Sequence, residues 1–274
     1  MCAEGWPVLQ TKGSTYTVIF ALITCVICSA IICIAAVSLK TRIADNRLLD
    51  KQKKVLVVTG LMEEGEAITP DEVTNRFESN IVARVIDLDT GEYVPEDEID
   101  PNVFDQQSEL SDPTLSREAP ANPAQVSRLP KHAQVYHVLD GETVAKIVLP
   151  VEGKGLWSTL YGFLVLENDT NTIGGITFYK HGETPGLGGE VDNPKWKAKW
   201  EGRKAYDDSG APAISVVKGY VGPAEEDPYK VDALSGATIT SNGVSFLMTL
   251  WLGEDGFGPY LEKFRAEHGG TEAG

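Results

Sequence analysis

The sequence predicts an α+β fold behind one N-terminal transmembrane helix, and three observations carry the prediction. Residues 17–39 hold no charged side chain. Residues 133–180 alternate short apolar runs with turn clusters, the pattern of an antiparallel sheet. Residues 238–252 set Val244, Leu247, Met248, Trp251 and Leu252 on one helical stripe, a face suited to covering such a sheet.

Each element follows in chain order. The uncharged run, at about 1.5 Å per helical residue, spans roughly 35 Å and crosses a hydrocarbon core of about 30 Å. A secretory signal has a shorter apolar core behind a basic start. Here residues 1–16 carry Lys12 against Glu4, so a short tail and an uncleaved anchor over 17–39 are expected. Residues 43–54 are charged, with Leu48 and Leu49, and extend the helix out of the membrane; 55–58 is a short apolar strand candidate. Thr69-Pro70-Asp71-Glu72 starts a helix, with Thr as cap, Pro at the first position and Glu three residues after the cap. That helix runs to about Ser79, a strand follows over 81–88, and Asp89-Thr90-Gly91 turns it.

Residues 95–130 are acidic and proline-rich with few large apolar groups, and read as an extended, surface-wrapping insertion. Strands are expected at 135–138, 143–149, 160–167, 173–180 and 214–220, and the helix of 238–252 stops at Gly253. The domain plan is a tail (1–16), a transmembrane helix (17–39), a membrane-proximal region with the acidic insertion (40–130) and a ligand-binding domain (131–268).

Composition excludes several functions. Without residues 1–42 the chain has 21 basic and 39 acidic side chains, a net charge of −18. No nucleic-acid partner is expected, because a phosphate backbone needs a basic footprint. Cys2, Cys25, Cys28 and Cys33 all precede the soluble region, which therefore holds neither a disulfide nor a thiolate metal site. Cys25 and Cys28 have CxxC spacing, but inside an apolar span cysteine behaves as a small hydrophobe. His132, His137, His181 and His268 form no metal-ligand or catalytic spacing, and His132 and His137, five apart on a strand, face opposite sides. No catalytic side chain and no metal ligand is assigned.

Chemistry concentrates in three segments. Asp232-Ala233-Leu234-Ser235-Gly236-Ala237-Thr238-Ile239-Thr240 is a tight turn running into a helix, with small residues from Ser235 to Thr238. It reads either as an ordinary helix cap or as a phosphate site at a positive helix end. Gly153-Lys154-Gly155-Leu156-Trp157-Ser158 lacks the Ser or Thr after Lys and the long helix of a nucleotide loop. The third segment is His181-Gly182-Glu183-Thr184-Pro185-Gly186-Leu187-Gly188-Gly189-Glu190. Nine glycines between Gly153 and Gly189 are either turn residues or places where a flat ligand approaches the backbone, with Trp157 and Leu187 as an apolar wall and Thr184 as a hydroxyl.

These segments, with Trp251-Leu252-Gly253-Glu254-Asp255-Gly256-Phe257-Gly258-Pro259-Tyr260 and the anchor, resemble the C subunits of the bacterial Na+-translocating NADH:quinone oxidoreductase. The resemblance spans nearly the whole chain and is poorest over 95–130. It implies an FMN bound covalently through its phosphate to a threonine, placed there from FAD by a dedicated flavin transferase. The acceptor it implies is Thr238, with Thr240 close enough to compete, in a segment whose Ser235, Gly236 and Ala237 line the site. It further implies that Asp232 serves recognition by the transferase and that Trp157, Thr184 and Leu187 border the flavin.

By the same resemblance the chain is an electron-transfer subunit of a sodium-pumping NADH:ubiquinone reductase, a translocase, and inactive alone. Its partners are then the other subunits and the membrane. The flavin domain lies outside the bacterial cytoplasmic membrane, on the periplasmic side, whereas Lys40, Arg42, Arg47, Lys51, Lys53 and Lys54 favour a cytoplasmic side by the positive-inside tendency. Two alternatives are the G subunit of the related ferredoxin-dependent complex, and a membrane-tethered domain that binds without redox chemistry.

Overall fold

The structure, a computed structural model, describes residues 13–268. Most of the expected tail of 1–16, with Cys2, lies outside the described residues. The chain divides into two units, one up to Leu48 and one from Leu49.

The first unit is helical. Helix α1 (Ser14–Val58) begins three residues before the expected anchor. Its stretch Ser14–Lys40 is long and apolar enough to cross a membrane, and its large apolar side chains stand exposed. Cys25, Cys28 and Cys33 are free thiols on it.

In the second unit α1 continues through residues 55–58, so the strand expected there is a correction. A four-residue apolar run does not distinguish a strand from a buried helix end. What decides is packing: Val55 and Leu56 are buried against Val148, Phe163 and Val165. The helix closes on Gly60 (φ +80°), with Gly60 N–H donating to Val57 O and Leu61 N–H to Leu56 O. That pair of bonds is a Schellman ending, which favours glycine at the left-handed position.

Helix α2 (Pro70–Asn80) carries the expected capping box between Thr69 and Glu72. Strand β1 (Ile81–Asp87) follows, then α3 (Gln106–Glu109), β2 (Ser116–Glu118) and β3 (Arg128–Pro130). Strands β4 (His132–Asp140), β5 (Thr143–Lys154), β6 (Thr159–Glu167) and β7 (Ile173–Lys180) complete a five-stranded antiparallel sheet in the order β1-β4-β5-β6-β7. Short helix α4 (Pro194–Lys197) precedes β8 (Ser215–Val217) and β9 (Lys230–Asp232), which pair in parallel. Helices α5 (Thr238–Leu252) and α6 (Gly258–His268) end the described fold.

The sheet is the middle of three layers. One face, through Val148, Phe163 and Val165, takes the end of α1 and Val73 of α2. The other face, through Ile147, Leu149, Leu164 and Ile176, meets Val244, Leu247, Trp251, Leu261 and Phe264 of α5 and α6 in the main core. The α+β expectation holds, and α5 has the predicted bounds.

Two further expectations are revised. The insertion over 95–130 runs over the surface as expected, but it is pinned into the fold at a few points. Ala124 and Leu129 are fully buried, Ala124 O accepts Lys154 N–H, and buried Glu109 takes His132 N–H while its Oε1 stands 2.8 Å from His132 Nδ1. The strand expected over 214–220 shrinks to β8, because Gly219 turns the chain at φ +113°. Elements α3, β2, β3, β9 and α6 are too short or too weakly patterned for periodicity to find.

Candidate functional site

The Leu234–Ala237 turn closes with Ala237 N–H on Leu234 O, and Gly236 at φ +71° occupies the position where a side chain would be strained. Helix α5 then starts at Thr238 with Ala237 as its cap and no side-chain cap bond. The capping reading of the Ser and Thr residues is therefore wrong here: Ser235 and Thr238 are exposed and neither closes the helix end. The first helical backbone bond is Ser241 N–H to Ala237 O, so the N–H groups of Thr238, Ile239 and Thr240 have no partner within the helix.

The two competing threonines meet opposite fates. Thr238 lies at the surface, whereas Thr240 is 1% exposed and its hydroxyl donates to Glu183 Oε2 at 2.7 Å. Residues two apart on a helix point about 200° from each other. The buried direction of α5 is set where Gly153 leaves room for Leu247 and Gly243 meets Lys154 O.

Glu183, which the sequence reading assigns no role, organises the surroundings. Its Oε1 accepts N–H from Trp157 at 2.9 Å and Ser158 at 3.1 Å, and its Oε2 accepts Leu156 N–H at 3.2 Å. Three successive N–H groups form a nest for an anion. The turn after Gly155 thus does cradle an anion, but the anion is this chain's own carboxylate. Burial pushes the Glu183 carboxyl up, and the donors Thr240, Trp157, Ser158 and Leu156 outweigh it, holding it below the ordinary value. The signal for Glu183 in the sequence was an acid inside a glycine-dense segment facing a loop whose N–H groups need an acceptor.

Two of the nine glycines have a cause neither reading anticipated, while Gly186, at φ +77°, is a turn residue. A Cβ at Gly155 would stand 2.7 Å from Glu183 Oε1, and one at Gly188 would stand 2.6 Å from both Glu183 Oε2 and Thr240 Oγ1. These glycines admit the carboxylate. Around it, Trp157 is 68% exposed, Leu187 44% and Ile239 57%, an apolar surface beside the start of α5. Leu187 lies over the turn, 3.1 Å from where a Gly236 Cβ would be. Thr184 is exposed, and its carbonyl accepts N–H from Leu187 and Gly189.

Asp232 is bound into the fold. Its Oδ1 accepts Val221 N–H at 2.6 Å, its Oδ2 pairs with Lys199, and its carbonyl accepts Trp196 Nε1–H. The structure thus brings Trp157, Leu187, Gly236, Ala237, Thr238 and Thr240 to one end of α5, and ties Asp232 to the β8–β9 side of the same turn.

An exposed hydroxyl at an uncapped helix start, bordered by exposed apolar side chains, fits a ligand with a phosphate and a flat ring. The comparisons agree on the class. Residues 155–252 match the family model of the FMN-binding domain. The C subunit of the Na+-translocating NADH-quinone reductase of Pseudomonas aeruginosa is 46% identical over 257 residues, covering 93% of this chain and 97% of that protein. Its counterpart in Yersinia pestis is 43% identical, covering 91% and 92%. The crystal structure of NqrC from Shewanella oneidensis superposes with a TM-score of 0.72 at 35% identity, covering 78% of this chain and 96% of that one. The chain belongs to the family of Na+-translocating NADH-quinone reductase C subunits.

Proposed function

We propose that this chain carries FMN as a phosphoester on Thr238 and relays electrons within a membrane-bound, Na+-translocating NADH-quinone reductase. The observation that carries the reading is the division of labour between two threonines: Thr238 is exposed at the uncapped start of α5, and Thr240 is buried with its hydroxyl committed to Glu183. A phosphate on Thr238 lies where the helix dipole stabilises negative charge, by about 0.3–1 kcal/mol at an exposed site.

Loading needs a flavin transferase and FAD. A bond forms between Thr238 Oγ1 and the FMN phosphorus, the pyrophosphate bond to AMP breaks, AMP leaves, and the hydroxyl proton is released. When bound, the flavin supplies the electron chemistry; the protein holds and shields it. Trp157, Leu187 and Ile239 give its ring an apolar surface, and Thr184 offers a hydroxyl. Asp232 serves the transferase by holding the turn in shape. The chain works as one subunit of a larger complex and is inactive alone.

The test is intact-mass measurement and peptide mapping of the full chain co-expressed with a flavin transferase. One FMN on the peptide containing Thr238 is expected, and none in Thr238→Ala. A bare Thr238 in the wild type, or FMN retained by Thr238→Ala, overturns the reading. We place the flavin domain on the periplasmic side, against the local Lys/Arg excess. The region beyond Cys33 has no cysteine, so Asp208→Cys, an exposed site, gives a clean reporter when compared with the unsubstituted chain. A membrane-impermeant maleimide should label it in sealed spheroplasts; labelling only after lysis reverses the orientation.

A further inference from the structure

We propose that Glu183 is a positioning residue of the flavin site, a carboxylate clamp that holds the Leu156-Trp157-Ser158 turn against the first turn of α5. The inference deepens the FMN reading above and rests on it. Four donors from two separate segments converge on one buried carboxylate: three backbone N–H groups of the turn and the Thr240 hydroxyl of the helix. The carboxylate comes from a third segment, whose Gly182 N–H also donates to Ser158 Oγ at 2.6 Å.

The clamp matters because core packing does not position Trp157. Trp157 is 68% exposed, so its place is set by the backbone that bears it. That backbone is held at all three N–H groups by Glu183. On the other side, Glu183 takes the hydroxyl two residues from Thr238, a rise of about 3 Å along the helix axis. The carboxylate therefore fixes where Trp157 stands relative to the acceptor. It also places a fixed negative charge within the first turn of α5, and a nearby anion makes a flavin harder to reduce.

The variants separate these roles. In Glu183→Gln the amide oxygen can still accept from Trp157 and Ser158, but the charge is gone and Leu156 N–H faces an NH2 group. In Glu183→Ala all four donors are abandoned. The full chain and both variants are co-expressed with a flavin transferase, and covalent FMN is measured by mass alongside the flavin absorption band, its midpoint potential and the thermal unfolding midpoint. Glu183→Gln should load FMN at no less than a third of the wild-type rate, with a shifted band and a more positive potential. Glu183→Ala should load at least tenfold more slowly.

Wild-type band and potential in Glu183→Gln overturn the clamp, whether Glu183→Ala loads normally or fails by unfolding, since a merely structural residue behaves that way. A wild type with no FMN overturns the reading beneath it and the clamp together. A loaded wild type with unaltered variants overturns the clamp alone.

Discussion

A buried polar side chain can couple a fold to pH, and His137 does so here. Its ring is buried on β4 with Nε2 2.7 Å from the Tyr260 hydroxyl. Burial, with Arg84 and His268 nearby, lowers its pKa from 6.5 to about 4. The unfolded chain then binds more protons than the folded one between those values, so the His137 contribution is fully present above pH 6.5 and is lost as pH falls towards 4. At 1.36 kcal/mol per unit, the loss reaches roughly 3 kcal/mol. Glu183 has the lowered pKa of a well-donated carboxylate, and its contribution disappears only below the ordinary carboxyl range. The windows are distinct. In His137→Phe the fall in melting temperature between pH 7 and pH 5 should be clearly smaller than in the wild type; an unchanged slope would show that another group carries the pH dependence.

At the scale of elements, the site depends on how closely α5 approaches β5. Gly153 admits Leu247, and Gly243 meets the Lys154 carbonyl so tightly that a Cβ there would strike backbone. Backbone cannot yield as a side-chain tip can, so Gly243→Ala must lift or tilt the helix. Overpacking of this kind costs about 1–3 kcal/mol. The same shift carries Thr238 and Thr240 away from the Glu183 clamp, so denaturant unfolding and FMN loading should fall together. Loss of stability with full loading would mean that the acceptor turn is held independently of the helix. The stripe of apolar residues on α5 and its stop at Gly253 were legible in the sequence, because one long helix writes its period many times. The approach distance was not, since it depends on two glycines 90 residues apart in the chain.

For the molecule as a whole, the informative boundary is the one between units, at Leu48 and Leu49, which falls inside α1. The residues from Leu49 to Val58 belong to the folded domain: Val55 and Leu56 cover one face of the sheet. Burying two such side chains is worth about 1.5–3 kcal/mol each, a large share of a typical 5–15 kcal/mol stability. A chain starting at residue 49 should express in solution and melt cooperatively, while one starting at residue 60 should be strongly destabilised or aggregate. Equal melting temperatures for the two would show that this layer contributes little. The boundary also divides the helix differently from the plan read from the sequence, which ended the membrane span at residue 39, continued the helix through 43–54 and assigned 55–58 to a strand.

The anchor, the antiparallel sheet and α5 were all written in the sequence, because apolar run length and periodicity are local properties that repeat along the chain. It also pointed to two neighbouring threonines and marked the glycine-rich segments around them. Long-range packing then exposed one of those hydroxyls and buried the other, gave Glu183 its place, and pinned the surface-running 95–130 to the core at Glu109, Ala124 and Leu129. Each of these depends on groups far apart in sequence meeting within about 3 Å, the range at which a hydrogen bond or a steric clash is settled.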